Sequence, residues 1–102
     1  MTRIRLFVYG SLRRGAENHQ ELRRASFLRE VTTEPAYDVI RLGAYPALVS
    51  GSMSVAGELY EVEPGDLPAL DAFEGPGYRR AHVRLSDGGD AEAYFLAEAA
   101  RR

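Results

Sequence analysis

Cysteine is absent from all 102 residues, and with it go disulfides, thiolate zinc sites, iron–sulfur clusters and thiol nucleophiles. Lysine is absent as well, since all 13 basic residues are arginine. That excludes Schiff-base chemistry and any phosphate loop that relies on lysine. There is no basic excess either: 15 Asp and Glu outnumber the arginines, for a formal net charge of -2. A nucleic-acid binder held by electrostatics would carry a positive surplus, so no nucleic-acid partner is expected. The longest early apolar run, Leu6-Phe7-Val8-Tyr9, is too short for a signal-peptide core or a membrane span. A cytoplasmic protein without a membrane partner is the expectation.

What remains is 45% hydrophobic and 27% charged, the profile of a soluble domain able to bury a modest core. The length suits a single domain over residues 1–102. Ile4 to Tyr9 reads as a strand, apolar on both faces and therefore central. It runs into a glycine-bounded loop, Gly10 to Gly15. A short helix is predicted next, with Asn18 as N-cap and Glu21 in the capping-box position. Strands are predicted over Phe27–Thr32 and Tyr37–Leu42, separated by Pro35. Gly43-Ala44-Tyr45-Pro46 then turns the chain toward Ala47-Leu48-Val49. Val55–Val62 is a further strand, whose interior Gly57 marks a bend or a close backbone approach. Pro64–Glu74 is the second predicted helix, stopped by Gly75-Pro76-Gly77. Tyr78–Leu85 alternates as a strand, and Ser86–Asp90 makes a hairpin loop into a last strand over Ala91–Leu96. Strands dominate and no βαβ alternation runs through the chain. The predicted fold is α+β, a small mixed β-barrel or curled sheet with two short flanking helices.

The second helix carries the most informative position. Leu67, Leu70 and Glu74 are spaced i, i+3, i+7, so an acid sits on the stripe that bears the leucines. Burial would raise its pKa, and the negative end of the helix dipole acts in the same direction. A carboxylate so placed makes a better general base near neutrality than a solvated one. The plainer alternative is a last-turn glutamate that frays into water or pairs with Arg79 or Arg80.

The loop after the first strand also has several readings. Gly10 and Gly15 mimic the glycines of a phosphate loop, but Ala16-Glu17 follow where Lys-Ser/Thr belong. Ser11 lacks the G-x-S-x-G setting of a nucleophile elbow. The loop could instead present backbone N–H groups to a carboxylate or oxyanion, with Gly10 permitting close approach, or be an ordinary strand-to-helix turn. His19 and His82 both read as solvated, and neither has a second histidine at ligand spacing, so no metal is expected.

Four segments, taken in order, resemble a known family: Phe7-Val8-Tyr9-Gly10-Ser11-Leu12, Tyr45-Pro46-Ala47-Leu48, Gly57-Glu58-Leu59-Tyr60-Glu61-Val62, and Leu70-Asp71-Ala72-Phe73-Glu74-Gly75 followed by Tyr78-Arg79-Arg80. From about Arg5 to Leu96 the chain is similar to the gamma-glutamyl cyclotransferase-like superfamily, especially its short bacterial branch and the gamma-glutamylamine cyclotransferases. The resemblance implies a small mixed barrel with flanking helices and no metal or organic cofactor. It implies that Glu74 is the general base, and that Tyr9, Gly10, Ser11 and Leu12 hold the substrate. Tyr78 matches a tyrosine that follows the glutamate loop, although alternation sets it beside Arg80 and His82 on the polar face of its strand.

The implied reaction is an acyl-transfer cyclisation of a small gamma-glutamyl compound. The substrate's own alpha-amine attacks its side-chain carbonyl, releasing 5-oxoproline and a free amine or amino acid. Intramolecular attack needs no protein nucleophile, consistent with the missing cysteine. The alternative from another functional class is a non-catalytic module on the same scaffold that captures a carboxylate-bearing metabolite. An RNA-binding module using Arg and Tyr is disfavoured by the net charge.

Overall fold

A computed structural model of the chain describes residues 3–97. Seven strands form one mixed sheet: β1 (Ile4–Val8), β2 (Ser26–Thr32), β3 (Tyr37–Leu42), β4 (Tyr45–Ser50), β5 (Ala56–Val62), β6 (Tyr78–Arg84) and β7 (Asp90–Leu96). Among the described residues a single α-helix, α1 (Leu67–Glu74), links β5 to β6. The lateral order is β2-β5-β1-β7-β4-β3, with β6 also paired to β7.

Two expectations need correction. The sheet is not a closed barrel: no ladder joins its ends, and only an isolated bridge, Thr33↔Leu85, ties the chain after β2 to the chain after β6. The first predicted helix is a four-residue 3-10 turn, His19–Leu22, so one α-helix flanks the sheet and not two. The capping-box reading fails there because the Asn18 side chain makes no cap bond. Its Nδ2 donates to Ser11 Oγ at 2.9 Å instead.

The sheet buries apolar side chains on both faces. One cluster includes Phe7, Leu48, Leu59, Val83, Ala93 and Phe95 and draws on all seven strands once Val31 and Val39 are counted. It fills the inside of the curl. On the outer face, Leu6, Val8, Tyr60, Val62 and Tyr94 meet Leu67 and Leu70 of α1 and Leu22 of the 3-10 turn. Burying each of those helix leucines stabilises the docked helix by roughly 1.5–3 kcal/mol. Apolar residues on both faces of β1 follow from its place between β5 and β7.

Gly57 permits the close contact of β5 with β1. A Cβ there would lie 2.3 Å from the Val8 carbonyl oxygen and 2.7 Å from the Phe7 ring, so no larger residue fits. At the other end of the helix connection, Gly75 adopts φ +81° and stops α1, its N–H donating to the Asp71 carbonyl.

The position of the site follows from β7, which has three partners and only two edges. β6 lies antiparallel along its whole length, from Tyr78↔Leu96 to Arg84↔Asp90. β1 and β4 share the remaining edge, both parallel to β7, at Leu6↔Glu92 and Leu48↔Phe95. The two strands must part along that edge. A cleft opens where β1 ends and β4 begins.

Candidate active site

Residues 8–12 form one wall of a cavity of about 290 Å³ in this cleft. The six residues singled out from the sequence, Tyr9, Gly10, Ser11, Leu12, Glu74 and Tyr78, all line it. Seven further lining residues escaped the sequence reading as site residues: Phe7 and Val8 at the end of β1, and Asn18, Tyr45, Pro46, Phe73 and Tyr94. Phe73 had a local signal, since it borders the Glu74 stripe. Tyr94 had none, because β7 reaches the cavity through parallel pairing with a strand more than eighty residues away.

The loop from Gly10 is shaped by close packing and by internal bonds. A Cβ on Gly10 would stand 2.9 Å from Pro46 Cγ, so glycine lets the loop lie against β4. Asn18 fastens it twice, through Nδ2 to Ser11 Oγ and through its own N–H to the Ser11 carbonyl at 2.8 Å. The ring of His19 meets the Leu12 carbonyl through Nδ1 at 2.9 Å. His19 is thus a half-buried structural residue and not the solvated one expected, whereas His82 is exposed. Among the described residues, the N–H groups of Gly10, Ser11 and Leu12 donate to no protein acceptor. Polar backbone groups seldom stay unpaired away from water, and these three border a cavity.

Glu74 ends α1 and lines the same cavity. It is half-buried, and no hydrogen bond or ion pair reaches its carboxylate among the described residues; of the two arginines expected as alternative partners, Arg80 is engaged elsewhere and Arg79 is exposed. Its oxygens nevertheless remain accessible, since no buried side-chain oxygen among the described residues lacks a partner. Burial pushes its pKa up to about 7, because desolvation disfavours the charged form and no cation offsets it.

The tyrosines are anchored. The Tyr9 hydroxyl donates to the Tyr94 carbonyl at 2.6 Å and accepts from the Leu48 N–H at 2.9 Å, bridging β4 and β7 where β1 parts from them. Burial pushes this phenol well above its ordinary pKa. Tyr78 donates to the Pro46 carbonyl at 2.8 Å. Its apparent placement on a polar strand face is explained by α1, which packs over the Tyr78–Arg80 end of that face and leaves His82 exposed. Arg80 forms a fork to Asp71 of the helix, through Nε to Oδ1 at 2.9 Å and a terminal nitrogen to Oδ2 at 3.1 Å, and also pairs with Glu92. Tyr94 donates to Asp71 Oδ1 at 2.7 Å. The Arg80 bonds, with help from Tyr94, hold Asp71 below the usual carboxylate range despite partial burial.

The walls thus combine three free amide donors with one acid lacking a counter-charge, and they include no arginine or histidine. A family model described as gamma-glutamyl cyclotransferase, AIG2-like, matches residues 6–102. The chain belongs to that family. A provisionally named gamma-glutamylcyclotransferase of Vibrio cholerae is 46% identical over 69 residues, covering 68% of this chain and 60% of that protein. The gamma-L-glutamyl-butirosin B gamma-glutamyl cyclotransferase of Niallia circulans is 38% identical over 78 residues, covering 74% of this chain and 50% of its own length. The chain therefore spans only about half to three-fifths of these relatives. A crystal structure of a uropathogenic Escherichia coli protein superposes with a TM-score of 0.90 over 98% of this chain and 84% of the other. At 24% identity, that likeness shows the shared fold alone.

No group of three or more His, Cys, Asp or Glu side chains among the described residues is arranged to hold a metal ion. No described helix is long and apolar enough to cross a membrane.

Proposed function

We propose that the protein is a cyclotransferase that cleaves a gamma-glutamyl amide and releases 5-oxoproline with a free amine or amino acid. The observation that carries this reading is Glu74, an acid without a counter-charge sharing one cavity with the unpartnered amides of Gly10, Ser11 and Leu12. Family membership supports cyclotransferase chemistry in general, and the relatives' names fit it.

In the proposed reaction Glu74 takes a proton from the substrate's alpha-ammonium. The freed amine attacks the side-chain carbonyl carbon, forming the C–N bond of a five-membered lactam and placing negative charge on the carbonyl oxygen. Glu74 then returns its proton to the departing nitrogen as the original amide bond breaks and the carbonyl re-forms. The second proton lost by the attacking nitrogen passes to the released amine, which leaves as its ammonium form. The loop amides hold the alpha-carboxylate or the oxyanion. Because nucleophile and electrophile share one molecule, holding the folded conformer supplies much of the acceleration, as effective molarities of about 10⁵–10⁸ M for oriented reactions indicate.

Incubation with a panel of gamma-glutamyl amines and dipeptides, followed by quantitation of 5-oxoproline, tests the reading. Turnover by the native chain is expected, with kcat lowered in Glu74→Gln by about 10²–10⁴, the usual worth of a positioned base. Equal turnover by Glu74→Gln would remove the base. Ligand-induced thermal stabilisation without product from any panel member would leave a carboxylate-binding module in place of the enzyme.

A further inference from the structure

Glu58 lies outside the cavity, yet it grips the loop that carries the free amides. It sits on β5 directly opposite Val8, the last residue of β1, and its side chain is only 12% exposed. One carboxylate oxygen accepts the backbone N–H of Arg14 at 2.8 Å and the Tyr60 hydroxyl at 3.0 Å. The other faces Arg14 Nε at 3.5 Å. Burial opposes the charge on this acid, but its Arg14 and Tyr60 bonds outweigh that and hold it ionised.

Loop residues 9–15 therefore leave the sheet at Val8 and return to the same place. Pairing of β1 with β5 fixes the first end, and Glu58, the β5 residue opposite Val8, fixes the second. Between these ends lie Gly10, Ser11 and Leu12, whose N–H groups have no protein acceptor among the described residues. A loop must be held if its donors are to stay unpaired and aligned on a ligand. The guanidinium of Arg14 is half-exposed, lying 3.8 Å from the Phe27 ring centroid and 3.5 Å from Glu30. The backbone amide, by contrast, is bound to a carboxylate that is mostly buried, and charge-assisted bonds of this kind are the stronger ones.

We infer that Glu58 is a positioning residue: it closes the Tyr9–Gly15 loop through the Arg14 backbone amide and so sets the three free amides for the substrate's carboxylate. The inference rests on the cyclotransferase reading for its ligand, but not for the clamp itself.

Two measurements on the intact chain test it, with Glu58→Ala, Glu58→Gln and Arg14→Ala compared. The first is residue-resolved amide exchange in the absence of ligand. Glu58→Ala is expected to speed exchange at least tenfold at Arg14 and at the loop-bound amides of Arg13, Ala16 and Asn18, leaving β6 and β7 unchanged; Arg14→Ala, which keeps the amide, should leave position 14 protected. The second is steady-state kinetics on the best gamma-glutamyl substrate. Here Glu58→Ala should raise KM by about 10-fold to 100-fold, the scale of a 1 Å misplacement, with kcat within threefold. Glu58→Gln, which keeps one acceptor, should fall between Glu58→Ala and the native chain. Native exchange in Glu58→Ala overturns the clamp whatever the substrate proves to be. Faster exchange with native KM overturns the positioning role, and an equal loss in Arg14→Ala overturns the amide as its route. If no gamma-glutamyl compound is turned over, the cyclotransferase reading falls, while exchange still decides whether Glu58 holds the loop.

Discussion

At the scale of single residues, the acid that marks the site could be found from spacing alone. Leu67, Leu70 and Glu74 declare a stripe, and the helix seats both leucines in the core and turns Glu74 to a cavity wall. What spacing could not decide was whether an arginine neutralises it. That depends on Arg80 being taken by Asp71 and Glu92, contacts between α1, β6 and β7 that have no local signature. The unpaired state has consequences that can be measured. Folding raises the Glu74 pKa from 4.5 to about 7, so the native state binds this proton more tightly than the unfolded chain does. The stabilisation from that proton is full below pH 4.5 and lost as pH rises through 7. Glu74→Gln stays neutral throughout. It should melt close to the native protein near pH 4.5 and above it at pH 8 by several degrees, a domain of this size shifting by roughly 4–8 °C per kcal/mol. Activity should run the other way in the native enzyme, with kcat/KM climbing toward a plateau above pH 7 as the base ionises. Thermal scans and pH-rate profiles check both. A melting difference independent of pH would mean that the carboxylate is not desolvated in the folded protein.

At the scale of elements, sequence patterns located six of the seven strands and the second helix closely and misjudged the first helix. β3 appears with the expected bounds, and β1, β2, β5, β6 and β7 differ by a residue at one end or the other. β4 begins two residues earlier than expected, because Tyr45 and Pro46 pair with Leu42 and Arg41 as the first rungs of a hairpin. The Asn18–Glu21 pattern promised a helix, but tertiary bonds from Asn18 and His19 to the loop use the same residues, and only a 3-10 turn forms. Alternation in β6 was equally misleading about Tyr78 and Arg80, since α1 covers their end of the polar face and only His82, farther along, stands in water. The Asp71–Arg80 fork fastens α1 to β6 three residues before Glu74 and so should keep the acid at the cavity wall. Asp71→Asn is expected to cost about 1–3 kcal/mol, the range for hydrogen bonds to charged groups less the screening of a partly exposed pair. It should also alter the acid limb of the pH-rate profile by letting the last turn of α1 shift. Because folding lowers the Asp71 pKa, the difference between native and variant should be full near neutrality and shrink as pH falls through the carboxylate range. If Asp71→Asn proves less stable but keeps the native pH profile, the fork holds the helix without tuning the acid.

At the scale of the whole molecule, the cavity exists because β7 has more neighbours than edges. That feature is invisible to local periodicity: it depends on β1 and β4 both running parallel to a strand near the other end of the chain. A parting of this kind leaves backbone groups unpaired at the fork, and here one phenol satisfies two of them. Tyr9 Oη joins the Leu48 N–H of β4 to the Tyr94 carbonyl of β7. Tyr9→Phe keeps the ring's packing against Phe7, whose centroid lies 6.2 Å away, and removes only the bridge. The loss then reports the fork directly. With a donor and an acceptor of the buried residues Leu48 and Tyr94 both left without a partner, about 1–3 kcal/mol is expected, read as a lower urea midpoint at an unchanged denaturant slope. The damage should not stay local, because Tyr9 stands at the root of the amide-bearing loop: substrate KM should rise as well. A variant that unfolds at the native midpoint would mean that the strands hold their separation without the hydroxyl, and that the cleft is set by the β6–β7 ladder and the inner core alone.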